Sequence, residues 1–77
     1  MALSFLHSVR FALVDGEWEL DAYFYHGPIP APARSTAIDT AFYRKSGRDM
    51  CYAKFATDEV PSNTKEMAIR HARKLLF

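Results

Sequence analysis

Three histidines, one cysteine and four tyrosines are the side chains whose chemistry reaches beyond packing and simple charge. Cys51 is a candidate nucleophile, but a reactive thiolate needs a base beside it in an open, electropositive setting. The strand pairing derived below sets it opposite Phe42 on an apolar face, so its expected place is the core. His7 and His26 fall on one face of neighbouring strands, yet two imidazoles are short of the roughly three or four ligands that zinc takes. His71 belongs to a helix, where a solvent-facing or rim position is expected. The chain has only three glycines and contains no phosphate-binding glycine loop, no Gly-x-Ser-x-Gly and no His-Glu-x-x-His. The expectation is a protein with no catalytic residue, no metal and no cofactor.

Where the tyrosines point depends on the elements that carry them, and the first is marked by Asp15-Gly16. This dipeptide suits a type I′ turn, which needs φ > 0 at both central residues. It folds Phe5–Val14 onto Glu17–His26, pairing Leu13/Trp18, Phe11/Leu20, Val9/Ala22, His7/Phe24 and Phe5/His26 on one face. The other face then carries Val14/Glu17, Ala12/Glu19, Arg10/Asp21, Ser8/Tyr23 and Leu6/Tyr25. A slip of one residue would turn the apolar set of one strand away from that of the other, so pattern and turn agree on this register.

Ser46-Gly47 marks a second hairpin between Thr36–Arg44 and Asp49–Ala56. It matches Arg44 with Asp49 and Asp39 with Lys54, both favourable cross-strand charge pairs. Phe42/Cys51, Thr40/Ala53 and Ile38/Phe55 share one face; Tyr43/Met50, Ala41/Tyr52 and Asp39/Lys54 share the other. A short helix over Ser35–Arg44 is the competing reading, because Ala37, Ile38, Ala41 and Phe42 also fit a helical period. Between the hairpins, Gly27–Arg34 carries prolines at 28, 30 and 32, which reads as an extended loop outside the sheet, packing over the core. Asn63 and Glu66 resemble a capping box, and Ala68, Ile69, Ala72, Leu75 and Leu76 form the apolar stripe of a helix running to the end. The expected fold is therefore α+β: a single domain over residues 1–77, two hairpins forming a four-stranded antiparallel sheet, with one C-terminal helix packed on one face.

On this reading all four tyrosines, Tyr23, Tyr25, Tyr43 and Tyr52, lie on the side of the sheet away from the helix, among Arg10, Lys54 and Met50. Tyrosine, methionine and arginine are enriched at protein interfaces, so these residues form the expected partner-binding surface. Glu17, Glu19 and Asp21 share that side and disfavour a polyanion. A second expectation is nucleic-acid binding through Lys65, Arg70, Arg73 and Lys74 on the helix, although a basic last turn also suits the helix dipole. The strand-then-helix ending, Tyr52–Thr57 followed by Ala68, Ala72 and Leu75, resembles the three-strand-plus-helix DNA-binding modules of phage integrases. That pattern implies no family by itself.

Size and composition bound what remains. Seventy-seven residues hold one small core, and ten Lys/Arg against nine Asp/Glu give no general attraction to nucleic acid or membrane. One cysteine excludes an internal disulfide and fits a reducing compartment. Met1–His7 lacks a basic leader with a long apolar core, so a soluble, cytoplasmic protein is expected. A four-stranded sheet is about 19 Å wide and a helix about 10 Å across, so one helix leaves part of the sheet open to a partner or a second copy. The expected function is a small non-enzymatic protein-binding module. By analogy with phage and mobile-element accessory factors, it would inhibit or modulate a host protein complex.

Overall fold

Leu3–Val14 sets Phe5, Val9, Phe11 and Leu13 at alternate positions, the pattern of a strand with one face in the core. The computed structural model, which describes residues 3–30, 37–57 and 64–77, places it so. The elements are β1 (Leu3–Val14), β2 (Glu17–Pro30), β3 (Ala37–Lys45), β4 (Arg48–Thr57) and α1 (Thr64–Leu76). The strands form one antiparallel sheet in the order β2-β1-β4-β3, which makes β1 and β4 central and leaves β2 and β3 as edges. Over 37–45 the strand prevails over the competing short helix. Asn63 and residues 31–36 lie outside the described residues.

Both hairpin turns have the backbone that a two-residue type I′ turn requires. Asp15 and Gly16 sit at φ 50° and 79°, Ser46 and Gly47 at 53° and 77°. The second hairpin keeps the expected register from Asp39/Lys54 to Lys45/Arg48. It departs at its start, where Ala37 rather than Ile38 lies opposite Phe55 and a bulge takes up the difference.

The first hairpin departs further. Val14/Glu17, Leu13/Trp18, Ala12/Glu19 and Phe11/Leu20 pair as expected, after which β2 shifts by one residue so that Arg10 faces Ala22, Val9 faces Tyr23, Ser8 faces Phe24 and His7 faces Tyr25. A second shift follows, with Leu6 facing Gly27. The expected pairs Val9/Ala22, His7/Phe24, Phe5/His26, Ser8/Tyr23 and Leu6/Tyr25 do not form. The first bulge turns Tyr23 and Tyr25 onto the helix side of the sheet and Phe24 onto the open side, reversing their expected places. The physical cause is His7, which is only 1% exposed and needs a polar partner; the shifted strand delivers the Tyr23 hydroxyl 3.0 Å from His7 Nδ1. At the second shift Gly27 has φ 114°, a backbone that glycine adopts without a Cβ penalty.

The expected proline loop is also corrected. Gly27-Pro28-Ile29-Pro30 continues β2, opposite Leu6, Phe5, Ser4 and Leu3. Proline is tolerated on an edge strand because its missing N–H can fall on the unpaired side.

α1 packs on β4, β1 and β2. Val9, Phe11, Cys51, Ala53, Phe55, Ala68 and Ala72 form the buried core, with Trp18, Tyr23, Ile69, Leu75 and Leu76 against it. Alanines at 53, 68 and 72 let the helix lie close to the sheet. Phe11 is capped by the Phe77 ring at 5.8 Å and the Arg73 guanidinium at 4.9 Å, and Arg73 donates a hydrogen bond to the Trp18 carbonyl at 3.1 Å. Glu66 in the first turn and Arg73 and Lys74 in the last complement the helix dipole.

Phe11, Cys51 and Phe42 lie in one row across β1, β4 and β3, yet Phe11 is fully buried and Phe42 is 62% exposed. Phe11→Ala should lower the unfolding free energy by about 3–5 kcal/mol, and Phe42→Ala in dilute solution by less than about 1 kcal/mol, read from urea denaturation. Ser46 holds a left-handed backbone that asparagine tolerates better. Ser46→Asn should therefore raise the urea midpoint, by about 0.5–1 kcal/mol in stability.

Candidate functional site

The open side of the sheet is built by side chains that alternate with the core set. β1 supplies Ser8, Arg10 and Ala12, β4 supplies Met50, Tyr52 and Lys54, β3 supplies Asp39, Ala41 and Tyr43, and the shifted β2 supplies Asp21, Ala22 and Phe24. At its centre Arg10 Nε donates to Asp21 Oδ2 at 2.5 Å, and this hydrogen bond, helped by the nearby Tyr43 hydroxyl, raises the guanidinium above its ordinary value. Because Asp21 and Ala22 both oppose Arg10 at the bulge, the expected Arg10–Asp21 contact survives although its strict pairing does not. A cleft of about 380 Å³ opens beside this ion pair, with Ala12 and Met50 as its floor and Lys45, Ser46 and Arg48 on its rim.

Towards the other end of the same side, Ser8 Oγ and His26 Nε2 share a hydrogen bond at 2.6 Å, and the Tyr52 hydroxyl lies 3.3 Å from the same Oγ. A serine beside an imidazole is the beginning of a nucleophile. Ser8, however, is 4% exposed under these partners. Its strand is paired on both sides, which commits the neighbouring backbone N–H groups to the sheet rather than to an oxyanion. The cluster acts as a polar bridge tying β2, β1 and β4 together.

The helix side holds the second aromatic group. His7 packs between the rings of Tyr23, Tyr25 and Phe55 at 5.9, 5.3 and 5.5 Å, and His71, expected at the rim or in solvent, is half-buried with its ring 4.9 Å from Phe55. Burial, then the nearby His26 and His71, lowers the His7 pKa below its ordinary 6.5, while burial and Tyr25 raise that of the Tyr23 hydroxyl. Cys51 is fully buried opposite Phe42, and burial pushes its thiol up, which keeps it protonated at neutral pH. Among the described residues no three His, Cys, Asp or Glu side chains gather within reach of one metal ion.

Of the residues expected to bind a partner, Arg10, Tyr43, Tyr52 and Lys54 stand on the open side. Met50 does too, but it is buried as the cleft floor at 5% exposure. Tyr23 and Tyr25 do not, because the bulge turns them away. Phe24, Lys45 and Arg48 were missed; no glycine or proline marks the bulge at Asp21 that turns Phe24 outward, and Gly27 signals only the later shift. On the helix, Lys65 and Lys74 are exposed, Arg70 leans on the Met67 sulfur at 3.8 Å, and Arg73 is held by Trp18 and Phe11. No protein-family model matches the chain, and neither a curated protein nor a solved structure is detectably similar to it. No described helix is long and apolar enough to cross a membrane.

The lowered His7 pKa sets a pH dependence. In the unfolded chain the imidazole protonates near 6.5, whereas the folded protein keeps it neutral to lower pH. The unfolded state therefore binds protons first as pH falls, and stability is lost from about pH 6.5 downward until folded His7 itself protonates. Thermal melts between neutral and mildly acidic pH should show a falling Tm, with a shallower slope in His7→Gln.

Proposed function

We propose that this chain is a non-enzymatic protein-binding module whose contact surface is the open side of the sheet. The observation that carries this reading is an uncovered face presenting the 58% exposed Phe24 and the 37% exposed Tyr43 on either side of the Arg10–Asp21 pair, next to a cleft with Lys45 and Arg48 on its rim. Aromatic side chains give contact area at small entropic cost, and a fixed ion pair beside an apolar-floored cleft gives register. The two cationic rim residues favour an acidic side chain of the partner entering the cleft.

Like the small accessory factors of phages and mobile elements, it would act by occupying a host protein's surface and so inhibiting or modulating the complex that protein belongs to. Cytoplasmic residence belongs to the same proposal and rests on the free thiol of Cys51. The competing reading is nucleic-acid binding through the basic helix. It is weakened because Arg73 is engaged with Trp18 and Phe11, leaving Lys65, Arg70 and Lys74 for phosphate contacts.

Affinity capture followed by quantitative mass spectrometry tests the proposal, comparing the wild-type chain with Phe24→Ala/Tyr43→Ala. Both side chains are exposed, so the circular dichroism spectrum should not change, while recovery of specific partners should fall at least about tenfold. Equal recovery would overturn the reading. A gel shift with RNA or DNA that disappears in Lys65→Ala/Lys74→Ala would support nucleic-acid binding instead.

A further inference from the structure

The two edges of the sheet are unlike. β2 is interrupted by two register shifts, carries Pro28 and Pro30, and presents Glu17, Glu19 and Asp21, all devices that discourage a further strand from adding. β3 has no proline, and from Asp39 to Lys45 it is regular. Every side chain from Ile38 to Lys45 is exposed, including Ile38 at 56% and Phe42 at 62%. β3 also carries Asp39, Arg44 and Lys45, so this open, regular edge is a template for a strand whose charges complement them.

We propose that β3 is a self-association edge, where two copies pair antiparallel about a two-fold axis at Phe42 to make one continuous sheet. Backbone geometry selects the register. Lys45 and Arg48 flank a two-residue turn and form a hydrogen-bonded pair, so Asp39, Ala41, Tyr43 and Lys45 aim their backbone groups at β4. Thr40, Phe42 and Arg44 aim theirs at the open edge. With Phe42 opposite Phe42 of the second copy, and Thr40 opposite its Arg44, each of these residues exchanges both backbone hydrogen bonds with its counterpart.

Charge selects the same register. It sets Asp39 of each copy opposite Lys45 of the other, twice by symmetry. Within its own hairpin Lys45 faces Arg48, a like-charge pair, and among the described residues neither has an ion-pair partner. Asp39 of the second copy supplies the missing anion. A shift of two residues either way sets Asp39 opposite Tyr43, or Lys45 opposite Ala41, and separates the two Phe42 rings. On the helix side Phe42 is backed by the Trp18 ring at 6.3 Å, so the paired rings meet over an existing apolar wall. This interface uses the backbone edge of β3 and the helix-side Phe42; of the open-face residues named above it engages Asp39 and Lys45 and leaves Phe24, Tyr43, Arg10 and Arg48 to the other contact.

Sedimentation velocity over a wide concentration range tests it. The wild-type chain should pass from monomer to dimer with rising concentration, and Phe42→Glu should remain monomeric with an unchanged circular dichroism spectrum. Asp39→Lys and Lys45→Asp alone should each weaken the dimer at least about tenfold, and the two together should restore it. Phe42→Cys combined with Cys51→Ala, which removes the thiol facing position 42 within the hairpin, reads the register without a charge change: opposed residues in a hydrogen-bonded pair stand about 5.5 Å apart, within disulfide range. Mild oxidation should therefore link that variant into a dimer, whereas Phe24→Cys should stay unlinked. A single-chain mass for the wild type at every concentration, or a dimer that persists in Phe42→Glu, would overturn the proposal. Failure of the charge-swapped double variant to recover, together with no Phe42→Cys crosslink, would overturn the register.

Discussion

The buried imidazole of His7 is the constraint on which the arrangement of both faces depends. It lies in the central strand β1, fully enclosed among Tyr23, Tyr25 and Phe55. A polar ring removed from water without a partner is costly, by roughly 1–3 kcal/mol in proteins. The strand beside it meets this demand by shifting one residue, which brings the Tyr23 hydroxyl into hydrogen-bonding range. That local adjustment changes the side of the β2 residues from Ala22 to Tyr25, up to the second shift before Gly27. Two tyrosines leave the open face for the core side and Phe24 takes the opposite path, so the surface available to a partner is set by a hydrogen bond on the other side of the sheet.

The second constraint is the mismatch between one helix and a broad, long sheet. The molecule extends 44 Å along its longest axis, the length of the 14-residue β2 at about 3.2 Å per residue, while a 13-residue helix spans about 20 Å. α1 lies over β4, β1 and β2, with Phe11, Phe77, Trp18 and Arg73 closing one end of the core. β3 is held by its ladder with β4 and by few buried side chains. Its exposure is the direct result of this geometry, and the same geometry separates an aromatic open face from an apolar edge.

Much of the architecture was legible in the residues. Asp15-Gly16 and Ser46-Gly47 identify both turns because a positive φ at two successive positions strongly restricts residue type, and Gly16 and Gly47 supply it. Cross-strand charge matching placed Asp39 with Lys54 and Arg44 with Asp49, since those contacts are local to one hairpin. The helical stripe over Ala68, Ala72 and Leu75 was equally plain. The candidate site was legible only in part: Arg10, Tyr43, Tyr52 and Lys54 lie near the turn-specified registers, whereas Tyr23, Tyr25 and Phe24 lie beyond the first bulge. A period-two pattern counts residues and contains no mark where one is skipped. Gly27 and its prolines carried the one trace of irregularity, and they read more readily as a loop than as an edge strand.

Sequence by itself therefore determined β1, β4, α1, the first part of β2, both turns and the presence of a core too large for one helix, because each follows from local backbone preference or from periodicity. It left residues 37–45 between strand and helix. Tertiary structure alone decided the strand order β2-β1-β4-β3, the continuation of β2 through Pro30 and the faces of Tyr23, Phe24 and Tyr25. These depend on contacts between residues far apart in the chain. A buried His7 must find a hydrogen-bond partner, and an edge strand can absorb bulges and prolines that a central one cannot.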